Sequence, residues 1–143
     1  MTVSAAEIAD IAAACERVTL DYAKYADSAA FDDLAALFAE DGVMELFGAS
    51  HAGRAAIRQS FAAGGGGGTI TTVHSNTNFR IDVASDTEAS STAYVTVFVG
   101  DKANPASLIE PFLVGIYNDS FRKTADGWKF AKRSFTPLIA KAR

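Results

Sequence analysis

Apolar residues recur at Ile8, Ile11, Cys15, Val18 and Tyr22, the three- and four-residue spacing of one helix face. The stripe predicts a helix from Ser4 to Ala26. Ser4 is its N-cap, and Glu7, three residues on, completes a capping box. Phe31, Leu34, Leu37 and Phe38 predict a second helix over Ala29–Glu40. Asp32 and Asp33 fall in its first turn, where the helix dipole favours carboxylates, and Asp41-Gly42 marks its end. Val43–Phe47 predicts a short strand, and Ile57 and Phe61, four apart, a third helix over Arg54–Ala63.

After the glycine run Gly64–Gly68 the period drops to two. Thr69–Val83, Ala89–Gly100, Glu110–Lys123 and Trp128–Leu138 are rich in Val, Ile, Thr, Phe and Tyr, as strands are. Ala125-Asp126-Gly127 joins the last two as a hairpin. Helices followed by a run of antiparallel strands predict an α+β fold. Ala93, Val95, Val97 and Val99 share one strand face, yet Tyr94 and Phe98 make the opposite face apolar too. A sheet wetted on one side alternates more cleanly, so one face is expected against the helices and the other against a second subunit.

At 143 residues the chain fits a single domain. Hydrophobic residues at 49% and charged residues at 21% describe a globular protein. The net charge of −4, with Lys and Arg scattered, argues against a nucleic-acid partner. No apolar run approaches the ~20 residues that cross a bilayer, and Met1–Asp10 lacks the pattern of a secretory leader. A cytoplasmic location is the expectation. Cys15, the single cysteine, reads as a buried core thiol.

Most chemical motifs are missing. The glycine run lacks the Lys-Ser/Thr of a phosphate loop and reads as a connector. His51 and His74 are the only histidines, too few for a catalytic zinc site, and no Gly-x-Ser-x-Gly elbow occurs. What remains is polar residues in apolar company. His74 lies mid-strand, Asp27 where the first helix ends, Tyr22 on that helix's apolar stripe, and Arg133 between Phe130 and Phe135. A strand histidine is commonly a hydrogen-bonded core residue and an aspartate after a helix a cap. The functional alternative has Asp27 accept from Nδ1 of His74, leaving Nε2 as a base. Phe47, Phe61, Phe98, Phe112 and Trp128 are candidate pocket or core aromatics.

Six segments together resemble one family. They are Tyr22-Ala23-Lys24-Tyr25-Ala26-Asp27, Phe31–Gly42, Gly53-Arg54-Ala55-Ala56-Ile57, Val73-His74-Ser75-Asn76-Thr77-Asn78, Gly115–Phe121 and Asp126–Arg133. From about Ala5 to Pro137 the chain resembles the nuclear transport factor 2-like superfamily, in its polyketide-cyclase-like and scytalone-dehydratase-like branch. Within it, the pattern is similar to hexachlorocyclohexane dehydrochlorinase and bile-acid 7α-dehydratase. The resemblance implies a cone-shaped α+β barrel, its curved antiparallel or mixed sheet covered by three N-terminal helices. It implies a homo-oligomer, trimer favoured and dimer possible. It also implies a lyase without cofactor or metal, acting on a small hydrophobic cyclic molecule through a His–Asp dyad. Asp27 and His74 fall at the dyad, Tyr22 at a substrate-facing tyrosine and Arg133 at a pocket arginine. Two positions depart from the pattern. No second histidine lies on Ala93–Val99, and Tyr22 stands where the dehydrochlorinase has lysine.

Overall fold

The apolar stripe folds as a helix, α1, over Ala5–Asp27, with both hydrogen bonds of the Ser4–Glu7 capping box present. It buries Ile11, Cys15, Val18, Thr19, Tyr22 and Ala23, while Ile8 stays exposed at the open end of the stripe. The computed structural model describes residues 2–64, 68–107 and 112–141. Within these, helix α2 is Phe31–Ala36 and strand β1 Phe38–Leu46, followed by β2 at Ala49–Ala52 and helix α3 at Arg54–Gly64. Strands β3 (Ile70–Val83), β4 (Glu88–Asp101), β5 (Leu113–Thr124) and β6 (Gly127–Ala140) complete the order. The expected start of a strand at Glu110 and the middle of the glycine run lie outside the described residues.

The second helix is shorter than its sequence pattern predicts. It stops at Ala36, and Phe38 begins a strand instead of a further helical turn. The cause is a distant partner: Phe38 pairs in parallel with Phe130, and the Phe130 N–H donates to Leu37 O at 2.9 Å. Phe38 is fully buried, so its apolar character serves a strand as well as it would a helix. The β1–β2 hairpin was not foreseen. Its turn places Phe47 at a φ of 50°.

The six strands form one mixed sheet in the order β2-β1-β6-β5-β4-β3, the α+β arrangement expected. The pairing of β1 with β6 is parallel and the others antiparallel. The sheet is an open cone, with β2 and β3 at its edges. Its inner face is a single parity: Ala89, Ala93, Val95 and Val97 of β4 meet Leu113, Tyr117 and Phe121 of β5. On the outer face Val73 and Tyr94 are 47% and 40% exposed.

Two local irregularities shape the inner face. Between Thr77 and Arg80, β3 carries one residue more than β4 opposite, and Asn78 takes up the slack at a φ of 55°. Such a bulge exchanges the two faces of a strand. Thr72, His74 and Asn76 are half-buried before it, Ile81 and Val83 after it. On β5, a Cβ at Gly115 would stand 2.4 Å from the Phe135 ring. No other residue leaves room for that ring.

Cys15 is fully buried in the core, and burial pushes its thiol up to about 12. A thiol so protonated is a poor nucleophile. The native protein should therefore resist iodoacetamide at pH 8, and the same reagent should label Cys15 completely in urea, read by intact mass.

Candidate active site

Strand β3 is an edge, so its outward-pointing backbone N–H groups need partners from outside the sheet. The last residue of α1 supplies one. Oδ2 of Asp27 accepts the His74 backbone N–H at 3.0 Å, and Oδ1 accepts the Thr72 hydroxyl at 3.0 Å. The same Oδ1 lies 2.6 Å from Nδ1 of His74. An ionised carboxylate has no hydrogen to give, so the ring hydrogen resides on Nδ1 and the basic lone pair on Nε2. The His74 and Asp27 side chains are 15% and 25% exposed. Residues 47 positions apart are thus joined at one oxygen atom.

Deeper in the cone, Tyr22 and Arg133 share one aromatic cluster. The Tyr22 ring meets Phe38, Phe61, Tyr117 and Phe130 edge-on at 5.8–6.4 Å. Its hydroxyl has Met44 Sδ at 3.6 Å, a weak acceptor. Burial, then the neighbouring Tyr117, raises the Tyr22 phenol well above its ordinary value. The Arg133 guanidinium lies 3.5 Å from the Tyr117 ring centre and 4.3 Å from that of Tyr22. It donates twice to Asp119, at 2.8 and 3.0 Å, with Ser91 at 3.5 Å from the same carboxylate. Burial opposes the Arg133 charge, yet the Asp119 carboxylate still holds its pKa above the ordinary value. Arg133 is therefore a fully buried ion-pair partner.

Sequence reasoning overlooked Tyr117 and Asp119. Burial raises the Tyr117 phenol above its ordinary value, and its ring packs on Arg133 and Tyr22. A signal existed. Leu113, Gly115, Tyr117, Asp119 and Phe121 form one strand parity, in which the carboxylate is out of place.

The proposed pocket aromatics scatter. Phe61 packs on Tyr22 and Phe31, and Phe112 and Trp128 are half-buried against the core. Phe98, expected in a pocket or the core, lies on the outer face. Its pairing partner is Val73, whereas His74 pairs with Val97. Phe47 is 62% exposed at a turn, resting on Phe135 at 5.4 Å. A shallow groove among Ser90, Thr92, Asn118, Ser120 and Ser134 opens on the face away from His74. Among the described residues, no group of three His, Cys, Asp or Glu is placed to hold a metal, and no helix is long and apolar enough to cross a membrane.

Two measurements test this electrostatic arrangement. Asp119→Ala leaves a buried guanidinium uncompensated and should cost about 3–5 kcal/mol in urea unfolding, whereas Asp119→Leu with Arg133→Met should cost far less. Tyr22 and Tyr117 have folded pKa values above the unfolded value of about 10. Their contribution to stability is complete below that pH and falls as pH rises through it, because the unfolded chain releases these protons first. Absorbance at 295 nm should show at least two phenols ionising only as the protein unfolds.

A family model described as "SnoaL-like domain" matches residues 6–134. Among curated proteins, none matches the chain. Among solved structures, a Novosphingobium aromaticivorans protein provisionally named scytalone dehydratase is 29% identical, with a TM-score of 0.74 over 88% of this chain and 83% of that one. A second protein from the same organism, provisionally named an aromatic ring hydroxylase, is 26% identical, with a TM-score of 0.73 over 91% and 90%. ActVI-ORFA from Streptomyces coelicolor superposes with a TM-score of 0.78 over 91% and 96%; its 21% identity conveys the fold alone. The match to the family model spans most of the chain, and with it the helix end, the edge strand and the buried arginine. This chain belongs to the SnoaL-like family of the nuclear transport factor 2-like superfamily, which includes cofactor-independent dehydratases and cyclases.

Proposed function

We propose that the chain is a cofactor-independent lyase that eliminates water, or another HX, from a small, largely apolar cyclic substrate. The observation behind this reading is the 2.6 Å contact between His74 Nδ1 and Asp27. It aligns the imidazole and offsets the positive charge that forms when Nε2 takes a proton. In the reaction, Nε2 removes a hydrogen from a carbon next to an activating group. The electron pair of that C–H bond becomes the new C=C bond as the C–O bond breaks. The departing hydroxide then takes up the proton and leaves as water. Tyr22, kept neutral by burial, donates to the leaving oxygen or to an enolate oxygen. Arg133 acts from beneath the phenols, its charge already matched by Asp119. Membership of a family that includes dehydratases and cyclases supports the reading, as does the 29% identity to a protein provisionally named scytalone dehydratase. An isomerase or cyclase would use the same base without expelling a leaving group.

A second reading rests on a specific observation. Asp27 also accepts from Thr72 and from the His74 backbone, so the cluster serves as a clasp between α1 and β3 in a non-catalytic ligand-binding module. The two readings diverge for His74→Ala, which keeps both of those hydrogen bonds. On the lyase reading this variant folds with a thermal midpoint near wild type and loses about two to four orders of magnitude in elimination rate. Asp27→Asn loses a similar factor and in addition about 1–3 kcal/mol of stability. Equal turnover by wild type and His74→Ala on every substrate accepted would exclude the dyad as the catalyst.

A further inference from the structure

Buried polar atoms without a hydrogen-bond partner are rare in folded proteins, and each calls for a physical explanation. Among the described residues two side-chain atoms qualify, Nη1 of Arg133 and Oδ1 of Asn76. The first has one: three aromatic rings surround the guanidinium at 3.5–4.5 Å and accept its charge and N–H groups. Oδ1 of Asn76 is left without a hydrogen-bond partner.

Its position on the strand is informative. Asn76 shares the inward face of β3 with Thr72 and His74, before the bulge that exchanges the faces. Asp27 engages Thr72 and His74 and leaves Asn76 unmatched. Residues two apart on a strand are about 7 Å distant, roughly the span of a small ring with one substituent. Beside Asn76 the sheet is apolar. Its pairing partner Val95 is fully buried, and beyond it Gly115 yields its space to the Phe135 ring. A ring with its acidic carbon at His74 Nε2 would bring a substituent about 7 Å away to Asn76.

We infer that Asn76 is a specificity-determining residue, which accepts a hydrogen bond from a hydroxyl or N–H group on the ring of the ligand. The assignment rests on the reading of His74 as the base. An amide oxygen only accepts, whereas a departing hydroxide needs a proton supplied to it. The group read by Asn76 is therefore one that the ligand keeps throughout the reaction, and the substrate carries a hydrogen-bond donor besides its leaving group. A site built to receive a hydroxyl discriminates strongly against an analogue lacking it, since the protein atom is then left buried and unpaired.

Binding without turnover tests this. The probes are 1-indanone, its four ring-hydroxylated isomers and their methyl ethers, titrated by ligand-observed NMR against wild type, Asn76→Leu and His74→Ala. For wild type, at least one hydroxyindanone should bind about tenfold more tightly than both its ether and the parent ketone. Asn76→Leu should bind the parent ketone at least as well and lose that preference, and His74→Ala should keep it. Because the substitution removes an unpaired buried polar atom at similar volume, ligand-free Asn76→Leu should also gain about 2–6 °C in Tm. A preference that survives Asn76→Leu, ethers that bind as tightly as the phenols, a lowered Tm, or no binding of any ring at millimolar concentration each overturns the inference. A wild-type protein that shows the preference but eliminates nothing refutes the lyase reading and leaves this one standing.

Discussion

The carboxylate of Asp27 is the contact on which the inner face depends. Strand β3 closes one side of the sheet with no further strand beyond it, so helix α1 takes the place of a neighbour. Three donors converge on the two oxygens of Asp27, one from the backbone and two from side chains. Charge-assisted hydrogen bonds of this kind are shorter and stronger than neutral ones. They determine where the helix ends over the cone and how the imidazole is turned. The same atoms that close the edge of the sheet also orient the His74 imidazole.

A second arrangement, built on the opposite principle, lies beneath the first. Asp119 and Arg133 are almost wholly withdrawn from water, which alone is unfavourable for both charges. Bidentate geometry and stacked rings offset that cost. The result is a stiff, neutral pair carrying two phenols that stay protonated at any ordinary pH. One cluster is partly exposed and leaves a ring lone pair free, and the other is dry and keeps its phenols protonated. Tyr117 belongs to the second, its ring centre 3.5 Å from the Arg133 guanidinium.

Local interactions made α1 legible in the sequence, because its cap and stripe are complete within one segment. The second helix misled because Leu37 and Phe38 continue an apolar helical spacing, while the partner that draws the backbone into a strand is Phe130, far along the chain. Spacing alone placed His74 and Asp27 on elements that allow them to pair without demonstrating the contact, and the family resemblance put both at a dyad. Phe98 was grouped with the interior through its size, although strand parity puts it outside. Arg133 drew attention as a charge in an apolar strand, and the same test applied to β5 would have found Asp119.

The extra residue in β3 has a bearing on how such a chain can change. Upstream of it the strand turns polar groups inward; downstream it turns aliphatic ones inward. A single alternating strand of this composition would have to choose, exposing Ile81 and Val83 or sending His74 to the outside. Deleting one residue from Thr77-Asn78-Phe79 would therefore act far beyond the loop-sized gap it leaves, swapping inside for outside along half the strand. Insertions and deletions are tolerated at hairpin tips. Here, by contrast, the count of residues is itself the structural information, and it is invisible to any substitution that leaves the length unchanged.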